Sequence, residues 1–422
     1  MFYNVKTKVS VDVSASRNYK LSQDKNVIYT NDETCLVLVL PTYTSTTFTV
    51  PASVVKIGDG AFSTGNKIQT VTFATDSQLA EIGDGAFVNC TSLKSVVLPK
   101  NNVVIGNYAF AGATSLTTVN LENVSKLGDY AFADFGAGEK TVIENGEEAT
   151  YYLIHFNSTA ISAVNLSTEG VVIGEGAFYG CEKLSGVVLG TGANIGMFAF
   201  ADSTVKTVEF VDVIGDTPAK RATVAEGAFA ACVYLTTFDF LDVEGVLPSM
   251  AFYACVSLVS VDAPYVTEIG EACFADCYNL TYFKADILET VGAYAFAPYN
   301  EQSQQGASFE TVYIPNLTTV GEGAFNACIN LKSIDLSKVT TIDFAAFYMC
   351  ISLEDVSITE TLTALPDYAF FGCTKLSGVP LNNIVSFGAY SLYGVQLPAH
   401  LELTKAETLG FGAFSEYFND ES

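Results

Sequence analysis

The stretch Ile82-Gly83-Asp84-Gly85-Ala86-Phe87-Val88-Asn89-Cys90-Thr91-Ser92-Leu93-Lys94-Ser95-Val96-Val97-Leu98 decides how the chain is read. It returns almost unchanged from Val320 to Leu336 as VGEGAFNACINLKSIDL, and elsewhere as I-G-D/E-x-A-F-x-x-C-x-x-L-x-x-V-x-L. Its Phe falls at Phe62, Phe87, Phe110, Phe132, Phe178, Phe200, Phe229, Phe252, Phe274, Phe296, Phe325, Phe347, Phe370 and Phe414, with Leu392 standing in once, which makes fifteen units. Successive anchors are mostly 22 or 23 residues apart; an interval of 46 after Phe132 and intervals of 29 after Phe200 and Phe296 mark three insertions. A repeat in the range of roughly 20 to 50 residues implies stacked units, because one such unit cannot bury its apolar face alone.

Working outward from the anchor, the six residues that begin with Leu93, Leu116, Leu235 or Leu331 are apolar at their first, fourth and sixth places. Alternation at the fourth, fifth and sixth places describes a strand that buries one face and shows the other. The expected fold is an α/β repeat: a right-handed solenoid with a parallel sheet on its concave face. Gly followed by an acid, as in Gly58-Asp59, Gly83-Asp84 and Gly321-Glu322, permits a sharp turn and offers a carboxylate to exposed N–H groups, so A-F-x-x-C is expected to form a short helical turn on the convex side.

Composition narrows the function. The 46 acidic against 20 basic residues give a formal charge of −26, which repels phosphate backbones and anionic lipid and argues against a nucleic-acid partner. At 16% charged and 49% hydrophobic residues, the chain is too apolar for disorder and too regularly interrupted for membrane insertion. Met1 to Arg17 contains no apolar core of a secretory signal.

These motifs resemble the BspA-like leucine-rich-repeat family, whose repeat reads approximately L-x-x-V-x-L-P-x-x-L-x-x-I-G-x-x-A-F-x-x-C-x-x-L. The likeness spans about Phe48 to Phe414, and Tyr19 to Pro51 is similar to the N-terminal cap of that family. It implies residues 1–47 as a cap of short strands, 48–414 as the solenoid, and 415–422 as an acidic tail. It further implies a secreted or cell-surface protein that adheres to a host or extracellular protein, or to a glycan. The alternative is a structural spacer or self-assembling display protein, with end-to-end association as its route.

Eight of the ten cysteines (Cys90, Cys181, Cys232, Cys255, Cys277, Cys328, Cys350 and Cys373) lie three residues after an anchor and so fill one column of the repeat. A small apolar thiol packed at each rung accounts for them. Side chains pointing the same way disfavour disulfides between neighbours, and Cys273 with Cys277 lacks the second pair that a zinc site needs. With only His155 and His400 in the chain, no catalytic constellation, metal site or cofactor is expected, and the protein is read as non-enzymatic.

Two surface features stand out. Residues 133–160 hold two β-rich runs around Asn145-Gly146, the pattern of a hairpin, which either braces the solenoid or reaches for a partner. The third and fifth strand places should line the concave face, and there Glu209, Asp239, Asp262 and Asp335 form an acidic set with Tyr282, Lys284 and Tyr313 beside it. Glu209, Asp239 and Asp262 are expected to stack as a column of like charge that a basic partner would relieve. These seven are the candidate binding residues.

Overall fold

The computed structural model describes residues 11–64, 67–133, 136–144, 147–155, 159–211, 220–299 and 305–415, with backbone alone over 136–144 and 147–155. Two compact units divide the chain, Met1–Ala222 and Thr223–Ser422. Each is a right-handed solenoid of stacked rungs.

In the first unit, the L-x-x-V-x-L segments form parallel ladders in two runs. Thr47–Val50, Thr70–Phe73, Ser95–Val96 and Thr118–Val119 make one run; Ala163–Leu166, Gly186–Gly190 and Thr207–Val211 make the other. The I-G segments build a second parallel ladder, absent from the sequence reading, through Lys56–Ile57, Glu81–Ile82, Val103–Ile105, Val124–Leu127, Val172–Ile173 and Asn194–Ile195. Tyr19–Leu21, Val27–Thr30 and Cys35–Val39 run antiparallel ahead of it, and Cys35–Val39 joins Lys56–Ile57 in parallel. The second unit repeats the scheme. Val266–Ile269, Thr290–Val291, Thr319–Val320 and Thr341–Ile342 form one ladder, and Ser260–Asp262, Tyr282–Lys284 and Val312–Tyr313 the other.

The anchors make the core. Their rings stack face to face, at 5.0 Å between Phe87 and Phe110 with planes 3° apart, and at 5.1 Å and 4° between Phe347 and Phe370. The long intervals leave the stack undisturbed, with 5.2 Å between Phe132 and Phe178 and 5.3 Å between Phe296 and Phe325. The ring stack therefore runs on across the first and third insertions.

The expected helical turns are not formed. Among the described residues the one helical element is a three-residue 3-10 turn, Phe240–Asp242. The residue two before each anchor sits in the left-handed region, with φ between 50° at Phe198 and 64° at Gly60 and Gly412, which breaks any right-handed helical run. The N–H groups there bond across rungs instead: Gly60 and Phe62 donate to the Asp84 and Ala86 carbonyls, and Gly85 and Phe87 to those of Asn107 and Ala109. The acid after the Gly does not cap a helix either. Asp59 Oδ1 accepts from the Asp84 N–H at 3.2 Å, Asp84 Oδ1 from Asn107 at 2.7 Å, Asn107 Oδ1 from Asp129 at 2.8 Å and Asp129 Oδ1 from Glu175 at 3.0 Å. The column is a hydrogen-bonded side-chain ladder. Gly is needed beside it because a Cβ on Gly83 would stand 2.9 Å from the Asp59 nitrogen.

All ten cysteines are free thiols, and the eight of the column are buried. Each thiol with a resolved partner donates to the anchor carbonyl of the rung before: Cys90 to Phe62 at 3.3 Å, Cys255 to Phe229 at 3.2 Å, Cys277 to Phe252 at 3.1 Å, Cys350 to Phe325 at 3.1 Å and Cys373 to Phe347 at 3.2 Å. Burial pushes the Cys90 and Cys181 thiols up to about 12, and those of Cys255, Cys273, Cys277, Cys328 and Cys373 well above the ordinary range.

Candidate binding surface

Register places the strand residues in rows. In the second unit Ser260 pairs with Tyr282 and Asp262 with Lys284, and Lys284 pairs in turn with Tyr313. Val261 and Phe283 between them are buried, so Tyr282, at 48% exposure, and Tyr313, at 54%, stand on the open face. Lys284 Nζ lies 3.2 Å from both Asp262 Oδ1 and Asp286 Oδ2. Hydrogen bonds donated to Asp286 and then to Asp262 raise the Lys284 ammonium above its ordinary value. On the next strand Lys332 Nζ pairs with Glu310 Oε2 at 2.7 Å. The result is an amphipathic patch: two phenols beside a lysine shared by two aspartates.

Of the three acids expected to stack as a column of like charge, Asp239 and Asp262 have partners of their own. Asp262 pairs with Lys284, which it shares with Asp286. Asp239 follows the short Thr237–Phe238 strand and caps the 3-10 turn, its carboxylate accepting from the Leu241 N–H at 3.2 Å. A short carboxylate reaches the backbone two residues on more easily than it stays extended. Asp335 does the same with the Ser337 N–H at 2.9 Å. Glu209 belongs to the first unit, on the exposed face of Thr207–Val211. Thus Asp262, Tyr282, Lys284 and Tyr313 come together on one ladder, Asp239 and Asp335 accept from nearby backbone N–H groups, and Glu209 lies in the first unit.

Glu209 lines a depression of about 420 Å³ in the first unit, formed by the segments Thr118–Glu122, Ala163–Asn165, Gly186–Val188, Thr207 and Glu209. The third strand place carries Thr118 and Thr207 at the two sides but only Ala163 and Gly186 in the middle. A Cβ on Gly186 would meet nothing nearer than Thr207 Oγ1 at 3.9 Å. Asn120 is committed elsewhere, its amide accepting from the Leu98 N–H at 2.6 Å and donating to the Leu98 carbonyl at 3.1 Å. The sequence reading missed this hollow, for which two small residues in one strand column were the available signal.

An aromatic surface on the turns of the second unit was also missed. Tyr348, Phe371 and Tyr393 stack at 4.9 and 4.7 Å, beside Phe344, Tyr368, Tyr390 and Phe411. Phe411 is 78% exposed. The hairpin of the first insertion pairs residue 136 with 155 through to 144 with 147 in a sheet of its own; Asn145 and Gly146 lie outside the described residues. So does most of the second insertion and the centre of the third. Among the described residues no group of three or more His, Cys, Asp or Glu is placed to hold a metal ion, and no helix is long and apolar enough to cross a membrane.

Three solved structures are similar to this chain to different degrees. A leucine-rich repeat protein from Bacteroides ovatus is 18% identical, with a TM-score of 0.55, over 94% of this chain and 90% of that one. A leucine-rich cell surface protein from Faecalibacterium prausnitzii is 22% identical over 87% of this chain and 81% of its own, with a TM-score of 0.35. The pneumococcal vaccine antigen PcpA is 16% identical over 88% and 82%, with a TM-score of 0.39. Among curated proteins, none matches this sequence. The BspA-type leucine-rich repeat region matches residues 42–153, 152–240, 215–303 and 300–419, and the chain belongs to that family.

Proposed function

We propose that the protein is a non-enzymatic binding protein, secreted or at the cell surface, that adheres to an extracellular or host protein or glycan through the open faces of its strand ladders. The patch of Tyr282, Tyr313, Lys284 and Asp262 carries this reading. Tyr offers a large rigid contact area at small entropic cost, and it recurs among the few residues that dominate interfaces. Here two exposed phenols stand on backbone fixed in a parallel ladder, beside a lysine held in place by two aspartates.

The test is a screen of the full chain against immobilised matrix proteins and a glycan array, repeated with Tyr282→Ala/Tyr313→Ala. Binding by the parent and at least a tenfold loss in the double variant, with unchanged thermal unfolding, is expected. Silence from both arrays would remove the adhesive function.

A further inference from the structure

We infer that the depression of the first unit is a subsite for one basic side chain, Arg or Lys, of a protein partner. This rests on the binding reading above and deepens it.

The floor is shallow-sided and apolar where Ala163, Gly186 and Val188 lie, and the rim carries the carboxylates of Glu122 and Glu209. Both carboxylates are exposed and make no ion pair among the described residues, whereas in the second unit Asp262 and Asp286 share Lys284 and Glu310 pairs with Lys332. The lining of the hollow holds no Lys or Arg, so its acidic rim has no positive group of its own. A volume of about 420 Å³ lies within the roughly 300–1,000 Å³ of ligand pockets, enough for a long side chain with its flanking main chain. Lys and Arg suit both halves of the site: the methylene stem covers apolar surface while the cationic head reaches an acid. Anionic guests meet two carboxylates. A pyranose packs its C–H face on an aromatic ring, and no aromatic side chain lines this hollow. The guest enters space that is already open, because the small third-place residues leave it so; Thr118 and Thr207 bound it on either side.

The experiment uses the full chain and a fluorescein-labelled peptide, acetyl-Gly-Gly-Arg-Gly-Gly-amide, against the same peptide with neutral citrulline in place of Arg, read by fluorescence anisotropy at low and at physiological salt. The Arg peptide is expected to bind at least tenfold more tightly than the citrulline peptide. Gly186→Leu, which fills the hollow, and Glu122→Gln/Glu209→Gln, which keeps its shape and removes its charge, should each weaken it at least tenfold. Glu354→Gln/Asp355→Asn removes the same charge from the second unit and should change binding less than twofold. Equal binding of the two peptides, wild-type affinity in Gly186→Leu, or an equal loss in Glu354→Gln/Asp355→Asn would overturn the subsite. Should a matrix protein still bind in a Tyr282- and Tyr313-dependent way while the peptide does not, the subsite alone falls and the adhesive function stands.

Discussion

The residue two before each anchor carries left-handed backbone in every unit. All fifteen such positions hold positive φ, yet only six are Gly, at positions 60, 85, 176, 227, 323 and 412. A non-Gly residue there costs about 1–2 kcal/mol, sustained because the flanking N–H groups are pinned to the next rung. Three glycines have a second reason. Tyr130 lies across Gly176, Tyr294 across Gly323 and Tyr390 across Gly412, so that a Cβ on Gly323 would stand 2.6 Å from Tyr294 Cε1. The Tyr130 and Tyr294 hydroxyls then donate to Glu175 and Glu322. Ala345→Gly should stabilise by about 0.5–1 kcal/mol, since relief of the left-handed penalty exceeds the entropy gained by the unfolded chain. Gly323→Ala should destabilise by about 2 kcal/mol or more, and Tyr294→Ala should recover the steric part in a double-mutant cycle followed by urea unfolding.

At the scale of the element, the first insertion behaves as a separate piece. Its strands pair with each other, while the I-G ladder continues past it through Lys126 with Val172 and Leu127 with Ile173. Removing residues 136–158 would shorten the 46-residue interval to the usual 23. The resulting protein should unfold within a few degrees of the parent by circular dichroism. A drop of more than about 10 °C would make the hairpin a brace.

The period was legible because burial of one Phe and two strand residues per rung is written directly into the sequence, and Asn145-Gly146 marked the hairpin for an equally local reason. Tyr282, Lys284 and Tyr313 were readable from strand alternation alone. The turn was not, because A-F-x-x-C looks like a helical turn in isolation and its hydrogen-bond partners exist only once the next rung is in place. The local bonds of Asp239 and Asp335 were not readable either, because nearby backbone N–H groups compete for a short carboxylate. The hollow over Gly186 escaped notice because a missing side chain leaves no chemical mark.

Across the whole molecule, the buried thiols tie stability to alkaline pH. In the folded state desolvation holds Cys90, Cys181, Cys255, Cys273, Cys277, Cys328 and Cys373 protonated well above an ordinary thiol. Below about pH 8.5 folded and unfolded chains are both protonated there, and these groups contribute no pH dependence. Above it the unfolded chain releases protons that the folded chain keeps, so stability falls as pH rises, by at most about 1.4 kcal/mol per thiol per pH unit. Melting in reductant should move steeply downward from pH 8 to pH 10, and Cys255→Ala/Cys277→Ala should show a shallower slope. A flat profile would mean that solvent reaches the column.

The sulfurs are unevenly shared: Cys35, Cys90 and Cys181 lie in Met1–Ala222, and the other seven in Thr223–Ser422. Since the buried thiols become reactive only when their rungs part, a labelling reagent timed against mass becomes a clock with two hands. Early addition of two or three adducts reports opening of the first unit, and addition of a block of about seven reports the second. The repeat thus carries its own record of which part of the solenoid comes undone first.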